Sequence, residues 1–380
     1  MRFFHISDLH FGKLLYGYDL TEEHRNFIEQ LGDYCDKYNP DAVLIAGDVY
    51  DRSVPSADAM TLLDELLNKL SGRKVFIISG NHDNAKRLSF GKDFLKKHDI
   101  YISTVPQTGE NEKIEKVTFA DEYGNVNIYM LPFLKPALFK NSMPEEAAAG
   151  EDAIIKKLVE NTDIDKNERN IILAHQFFVS GHKEPELCES EQAIVGGLDA
   201  VDVSAFDDFE YAALGHIHGG QFVGSEKNRY SGTPIKFSVS ERNHNKNIVM
   251  VDMEEKNKEI EITKLPLTQI RDVKKLTGYF DDIIASADEE LKNDYVSITL
   301  RDEEIIPDVK KKLGAYFDYI LEVVVDNSET RKIMLEDVGE LKEMSPYDAF
   351  DTFFEQLTDR KMNDAESELF REILSEVGEE

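Results

Sequence analysis

The sequence predicts an α/β architecture, and three observations carry that expectation. Short, almost continuous apolar runs recur along the first two thirds of the chain: Phe3–Ser7, Ala42–Ala46, Val75–Ser79, Val126–Leu131, Ile171–Ala174 and Tyr211–Leu214. Between several of them lie longer mixed segments of helical character, Thr21–Lys37, Ser56–Leu70, Ala85–His98 and Glu151–Glu160. The residues able to do chemistry follow the ends of the apolar runs instead of being scattered. Strands that are apolar on both faces must be covered on both sides, which flanking helices achieve.

At 380 residues the chain is long enough for two or three domains, each with its own core. Hydrophobic residues make up 41% and charged residues 31%, which excludes a disordered chain and a membrane-embedded one. No run of eighteen apolar residues occurs, and the first residues lack the apolar stretch and small-residue site of a secretory signal. Cys35 and Cys188 cannot staple a chain of this size, so both read as buried small hydrophobes in a reducing compartment. A cytoplasmic protein with no membrane association is expected.

Charge constrains the partners. There are 44 Lys and Arg against 75 Asp and Glu, a formal net charge of −31. Residues 266–380 hold 14 basic and 30 acidic side chains, a net −16 that is more than twice the net negative charge per residue of the rest. Such a chain repels polyanions overall, so a nucleic-acid substrate would need local cations or a basic partner. Near residue 265 the texture also changes. Tyr295–Leu300 and Tyr319–Val325 read as strands around a helix near Pro307–Tyr316, indicating a small α+β domain. Two amphipathic helices follow, Pro346–Leu357 and about Asp364–Val377, with Ser345 as N-cap and Pro346 in the first turn. Their apolar rows are Tyr347, Phe350, Phe354 and Leu357, then Leu369, Phe370, Ile373 and Val377.

Five of the apolar runs end in metal-binding residue types. Phe3–Ser7 leads into Asp8-Leu9-His10, and Ala42–Ala46 into Gly47-Asp48-Val49-Tyr50-Asp51. Val75–Ser79 leads into Gly80-Asn81-His82-Asp83, Ile171–Ala174 into His175, and Tyr211–Leu214 into Gly215-His216-Ile217-His218. Ligands in open α/β sheets bind beyond the carboxyl ends of the strands. Five ends in one sheet are therefore expected to pool Asp8, His10, Asp48, Asn81, His175, His216 and His218 in one crevice. The alternation Asp8/His10 and His216/His218 sets both members of each pair on one side of extended backbone. Gly47, Gly80 and Gly215 permit tight turns with close backbone approach to an ion. Mixed imidazole, carboxylate and amide donors suit Mn²⁺, Fe²⁺ or Zn²⁺ better than magnesium. Seven side chains are too many for one ion and fit two that share a carboxylate. Ions roughly 3.5–4 Å apart can orient a phosphoryl oxygen, acidify a water and hold the charge of in-line displacement. The expected chemistry is phosphoester hydrolysis. A string such as Gly-Asn-His-Asp arises by chance in roughly one chain of this length in several hundred; its company of four further elements makes the set specific.

This order, D-x-H, G-D-x-x-D, G-N-H-D, a lone His and G-H-x-H, resembles the calcineurin-like metallophosphoesterase superfamily. The connecting segments Asp51-Arg52-Ser53-Val54-Pro55-Ser56, Asn84-Ala85-Lys86-Arg87-Leu88-Ser89-Phe90-Gly91 and Tyr230-Ser231-Gly232-Thr233-Pro234-Ile235-Lys236-Phe237-Ser238 are similar to the bacterial SbcD family of nuclease subunits. The likeness spans about residues 1–250; beyond that it rests on domain layout. It implies a metallophosphoesterase β-sandwich flanked by helices over 1–265, an α+β capping domain over 266–338, and a helical hairpin over 339–380 that binds SbcC, a coiled-coil ABC-type ATPase. It implies two divalent ions, manganese the expected pair, with Asp8, His10, Asp48 and His218 around one. Bridging Asp48, Asn81, His175 and His216 would surround the other. His82 would protonate the leaving 3′ oxygen or steady the transition state, a task suited to an imidazole, and Asp51 would orient His82. The implied activity is two-metal hydrolysis of DNA, exonucleolytic on duplex ends and endonucleolytic on single strands or hairpins, under ATP-dependent control by SbcC. A homodimer within a heterotetramer, acting in DNA repair, recombination and replication, completes the expectation.

Asp83 reads as a structural hydrogen-bonding group, and His5, His24, His98, His182 and His244 as structural histidines. Lys86, Arg87, Lys92, Lys96 and Lys97 against Asp93 give the segment after Gly-Asn-His-Asp a local +4. With Arg52, Lys86 and Arg87 are the candidate DNA-backbone contacts. No Walker A string G-x-x-x-x-G-K-[ST] occurs, which leaves ATP hydrolysis to the partner. One rival is another metallophosphoesterase, a phosphatase or cyclic-nucleotide phosphodiesterase. Gly47-Asp48-Val49-Tyr50-Asp51-Arg52 is similar to the G-D-x-V-D-R-G of protein phosphatases, but Ser53 stands in place of the last glycine, and the fourth motif ends in Asp83, not Glu. A second rival, a non-catalytic scaffold for an ATPase, predicts a missing ligand, and all seven are present.

Overall fold

The computed structural model describes residues 1–106, 113–181, 183–189, 191 and 200–328, together with 347, 350, 354, 360, 362, 363, 366, 367, 369 and 370. They fall into two compact units, Met1–Lys275 with Asn293–Val296, and Leu276–Lys292 with Ser297–Glu380.

The first unit is α/β, as the sequence predicts, but its strands form two six-stranded sheets and not one. In the first sheet the order is Glu261–Pro266, Asn247–Asp252, Arg2–Ile6, Ala42–Ala46, Lys74–Ile78, Ile100–Ser103. In the second it is Gln221–Val223, Ser225–Tyr230, Tyr211–Gly215, Arg169–His175, Gly124–Leu131, Glu115–Asp121. Each sheet has four parallel strands, and the remaining pairings at its edges are antiparallel. Their facing sides bury Phe3, Leu44, Phe76, Ile128, Ile171, Leu173, Tyr211 and Val249 in one core. The five motif-bearing runs divide accordingly, three in the first sheet and two in the second. Apolarity on both faces reports burial but not which sheet a strand joins, so the one sheet supposed from the run pattern is corrected to the two-sheet sandwich that the resemblance implies.

Helices cover the outer faces. Thr21–Tyr38 buries Phe27, Ile28, Leu31 and Cys35, and ends at Asn39 in a left-handed conformation. Ala57–Lys69 starts where Ser56 Oγ accepts the Ala59 N–H at 3.1 Å. Glu151–Asn161 inserts Ile154, Ile155 and Leu158 into a cluster with Tyr129, Leu131, Ile172 and Leu214 on the outer face of the second sheet. The expected helix Ala85–His98 is instead three short pieces, Ala85–Leu88, Lys92–Leu95 and Lys96–His98. Asn84 caps the first, and Gly91, at φ 75°, breaks the run before the second. Cys35 and Cys188 are both buried and unbridged, as expected.

Later in the chain a three-stranded sheet runs in the order Val273–Gly278, Tyr295–Leu300, Tyr319–Val325. Val309–Leu313 is helical within the segment where a helix was expected. The two terminal helices expected over Pro346–Leu357 and Asp364–Val377 lie largely outside the described residues, as do Leu357, Ile373, Val377 and His182. Where both rows are described they meet: Phe350 stacks on Phe370 with centroids 3.8 Å apart, and Tyr347 Oη donates to Ser367 Oγ at 2.8 Å. Among the described residues no helix is long and apolar enough to cross a membrane.

Candidate active site

All seven expected ligands, and His82, gather at the carboxyl ends of the central strands of the two sheets. Their backbones are unusual. Among the described residues nine non-glycine residues have positive φ, and Asp8 (54°), His10 (45°), Asp48 (48°) and His216 (106°) are four of them. The extended alternation expected for Asp8/His10 and His216/His218 is thus corrected: the chain turns sharply at each strand end, and the turn aims the side chains inward. Such conformations are strained for L-residues and cluster at functional sites. The three glycines act through space as well. A Cβ on Gly47 would strike the His175 ring, one on Gly80 would strike Asp48, and one on Gly215 would strike the Ala46 carbonyl.

Asp48 is the hub. Its Oδ2 lies 3.4 Å from His175 Nε2, 3.7 Å from His10 Nε2 and 4.0 Å from His82 Nε2. Its Oδ1 accepts the His82 backbone N–H at 2.9 Å. Burial disfavours its charge, but His175 and His10 outweigh that and hold the carboxyl below the usual carboxylate range. Asp8 goes the other way, to about 6, because burial and the Asp48 charge outweigh His175 and His218. Both Asp8 oxygens accept the His216 N–H, at 3.0 and 3.1 Å, and Ser7 Oγ donates to Oδ2. One strand end in the second sheet is thereby tied to one in the first.

The imidazoles are oriented from behind. His175 Nδ1 donates to the Ala46 carbonyl at 2.8 Å, leaving Nε2 toward Asp48 and, at 3.1 Å, Asn81 Oδ1. The same Asn81 oxygen lies 3.0 Å from His216 Nδ1. Burial keeps His216 neutral, its pKa lowered to about 3, whereas for His175 the Asp48 charge overcomes burial and lifts it to about 9. Both ring nitrogens of His10 are buried without a hydrogen-bond partner, and burial lowers its pKa to about 4. Buried ring nitrogens without a hydrogen-bond partner fit a cation as their ligand. Among the described residues three triads have ligand atoms within 4.8 Å of one another: Asp8, His10 and His218; Asp8, Asp48 and His175; and His10, Asp51 and His82. The residues present therefore fit divalent metal.

His82 stands at the rim. Its Nδ1 donates to the Asp51 backbone carbonyl at 2.8 Å, which turns Nε2 toward Asp48. Here the expectation needs correcting in detail, since the Asp51 carboxylate does not hold His82. That carboxylate faces His10 Nδ1 at 3.5 Å and accepts from Lys13 Nζ at 2.9 Å. Asp83 is structural, as read from the sequence: it accepts the N–H groups of Val49, Tyr50 and Gly80 and pins the two first-sheet loops together. His5 and His24 are buried in structural contacts, with Tyr211 Oη and with the Leu20 and Leu9 carbonyls. Arg52, Lys86 and Arg87 are exposed, Arg52 with its guanidinium 3.5 Å from Asp51. The sequence reading missed the buried residues behind His218, namely Glu191, Thr233, Glu241 and Lys246. Glu191 accepts the His218 N–H, and Glu241 Oε1 lies 3.5 Å from His218 Nδ1.

Residues 1–220 match the calcineurin-like phosphoesterase family, and residues 269–358 match a domain described as the type 5 capsule protein repressor C-terminal domain. Over 290 residues the chain is 30% identical to the SbcD subunit of the SbcCD nuclease of Staphylococcus epidermidis, covering 75% of this chain and 74% of that protein. The chain belongs to the SbcD-type calcineurin-like phosphoesterases. Membership makes it a metal-dependent phosphoesterase, and the clustered His and Asp donors are where divalent ions would bind. Among solved structures, GAP50, described as the anchor in the inner membrane complex of Plasmodium, is similar at 9% identity and a TM-score of 0.40, over 71% of this chain and 89% of that one.

Proposed function

We propose that this SbcD-type chain is the nuclease subunit of an SbcCD-type complex and hydrolyses DNA phosphodiester bonds with two divalent ions, Mn²⁺ being the pair that its mixed donor set suits. The observation that carries the reading is the Asp48 hub, one buried carboxylate facing imidazoles from both sheets, as a bridging ligand requires. Asp8, His10, Asp48 and His218 would hold one ion, and Asp48, Asn81, His175 and His216 the other. When bound, such ions draw charge from the phosphoryl oxygens and activate the attacking water. His82, fixed by the Asp51 carbonyl, directs Nε2 into the crevice, where as imidazolium it donates a proton to the leaving 3′ oxygen. Asp51 tunes the rim through His10 and Lys13. Arg52, Lys86 and Arg87 would grip the DNA backbone without sequence preference.

The proposed substrates are duplex ends, cut exonucleolytically, and single strands or hairpins, cut endonucleolytically. Residues 266–338 would cap the nuclease domain of residues 1–265, and 339–380 would dock SbcC, whose ATPase cycle controls access. The stacked Phe350 and Phe370 fit such a docking element. A homodimer within the heterotetramer is supported by an apolar groove of about 660 Å³ lined by Met60, Leu63, Leu67, Phe90 and Phe94, with Phe90 87% exposed. Action in DNA repair, recombination and replication in the cytoplasm completes the proposal. The test is a nuclease assay on linear duplex and hairpin DNA with Mn²⁺, with and without SbcC and ATP, run beside phosphomonoester substrates. Cleavage of DNA supports the proposal; turnover of monoesters alone defeats it.

A further inference from the structure

A buried ion pair lies just behind the metal-binding cluster. Glu241 and Lys246 have side chains 0% and 3% exposed, with Oε2 and Nζ 2.6 Å apart. Withdrawing both charges from water is costly, and a well-packed apolar pair is often equally stable. Stability therefore gives no reason for the pair, and its contacts point elsewhere. Lys246 Nζ donates to the His218 carbonyl at 3.2 Å, and the Thr233 N–H donates to the same oxygen at 3.1 Å. Glu241 Oε1 faces His218 Nδ1 and accepts from the Phe237 N–H and Ser238 Oγ, each at 3.2 Å. The Phe237 ring then stands edge-on to His218 and His10, with centroids 5.9 and 5.4 Å away. Ring, carbonyl and packing partner of one histidine are all set by the same two charges.

We propose that the Glu241–Lys246 pair is a positioning device for His218: the carboxylate accepts a hydrogen bond from Nδ1–H, so that the Nε2 lone pair is offered beside Asp8 and His10, while the ammonium fixes the carbonyl. Carboxylates placed behind metal-binding histidines act in this way, and their loss typically costs about 10–100-fold in metal affinity. The inference rests on His218 being a metal ligand, as proposed above. The test uses the full chain stripped of metal, titrated with Mn²⁺ by calorimetry, with long-range ¹H–¹⁵N spectra of the histidine rings recorded before metal is added. Glu241→Gln/Lys246→Met removes both charges and leaves none unpaired, and Glu241→Gln alone keeps the native shape; both carry the same expectation. One of the two ions should bind about 10–100-fold more weakly and the other unchanged, and the His218 ring signals should leave the Nδ1–H pattern of the native protein. Native affinity at both ions, or an unchanged His218 spectrum, overturns the proposal. His218→Ala separates the layers. If it too binds both ions natively, the ligand assignment fails; if it loses one ion while the pair variants lose none, only the positioning role fails.

Discussion

The first sheet brings Asp8, His10, Asp48, Asn81 and His82 to the site on turns beyond its strands, and the cluster carboxylates, Asp8, Asp48 and Asp51, all come from it. The second sheet brings only imidazoles, with His175 still inside its strand and His216 and His218 directly after theirs. The carboxylates therefore come from one side, and the other supplies imidazoles alone. The difference teaches that the site is a property of the seam: neither sheet alone assembles the cluster.

The harshest way to break that division is Asp48→Ala, which removes the hub while leaving every second-sheet histidine in place. Cleavage should fall to background, beyond the about 10²–10⁴-fold that a lone acid–base group contributes, and calorimetry with Mn²⁺ should show both ions weakened. If His175→Ala proved equally severe, Asp48 would not be the hub. His82→Asn sharpens the picture from the rim: cleavage should drop by about 10²–10⁴-fold while Mn²⁺ and DNA binding persist. Full activity in that variant would remove His82 from the chemistry.

The clustered His, Asp and Asn residues were legible because polar residues that end apolar runs have few other reasons to be there. What escaped did so for physical reasons. Strands such as Ala42–Ala46 and Tyr211–Gly215 are buried at every residue, so nothing in them reports which sheet they join. Edge strands such as Glu115–Asp121 alternate between half-buried and exposed and carry no apolar run. Glu241 and Lys246 sit in a polar stretch, Ser238 to Asn247, that reads as a solvated loop; only their shared approach to His218, across distant sequence, reveals burial. The Asp51 carbonyl was invisible for a simpler reason, since sequence motifs name side chains and not backbone oxygens.

Smaller effects test the seam itself. Gly80→Ala and Gly215→Ala drive a methyl into Asp48 and into the Ala46 carbonyl. Each should cost about 1–3 kcal/mol in urea unfolding and weaken Mn²⁺ binding. Stability without loss would mean that the close approach is incidental. The mildest probe is His5, which meets Tyr211 Oη of the opposite sheet at 3.0 Å and whose pKa burial lowers to about 3. The unfolded chain takes up a proton below about pH 6.5 that the folded one refuses. The contribution is therefore fully present above that pH and is lost as pH falls toward 3, by up to about 1.4 kcal/mol per pH unit. Urea unfolding at pH 7 and pH 5 should show a shallower decline for His5→Asn than for the native chain; equal slopes would contradict the buried, neutral histidine.

The positive φ angles at Asp8, His10, Asp48 and His216 bear on anyone who would engineer this protein. Left-handed backbone costs a side chain roughly 1–2 kcal/mol per residue, and glycine escapes most of it. A screen that rewards heat tolerance alone would drift toward glycine at these four places and harvest hardy, inert variants. Selection must weigh metal retention beside melting temperature, because here durability and usefulness pull apart at the same atoms.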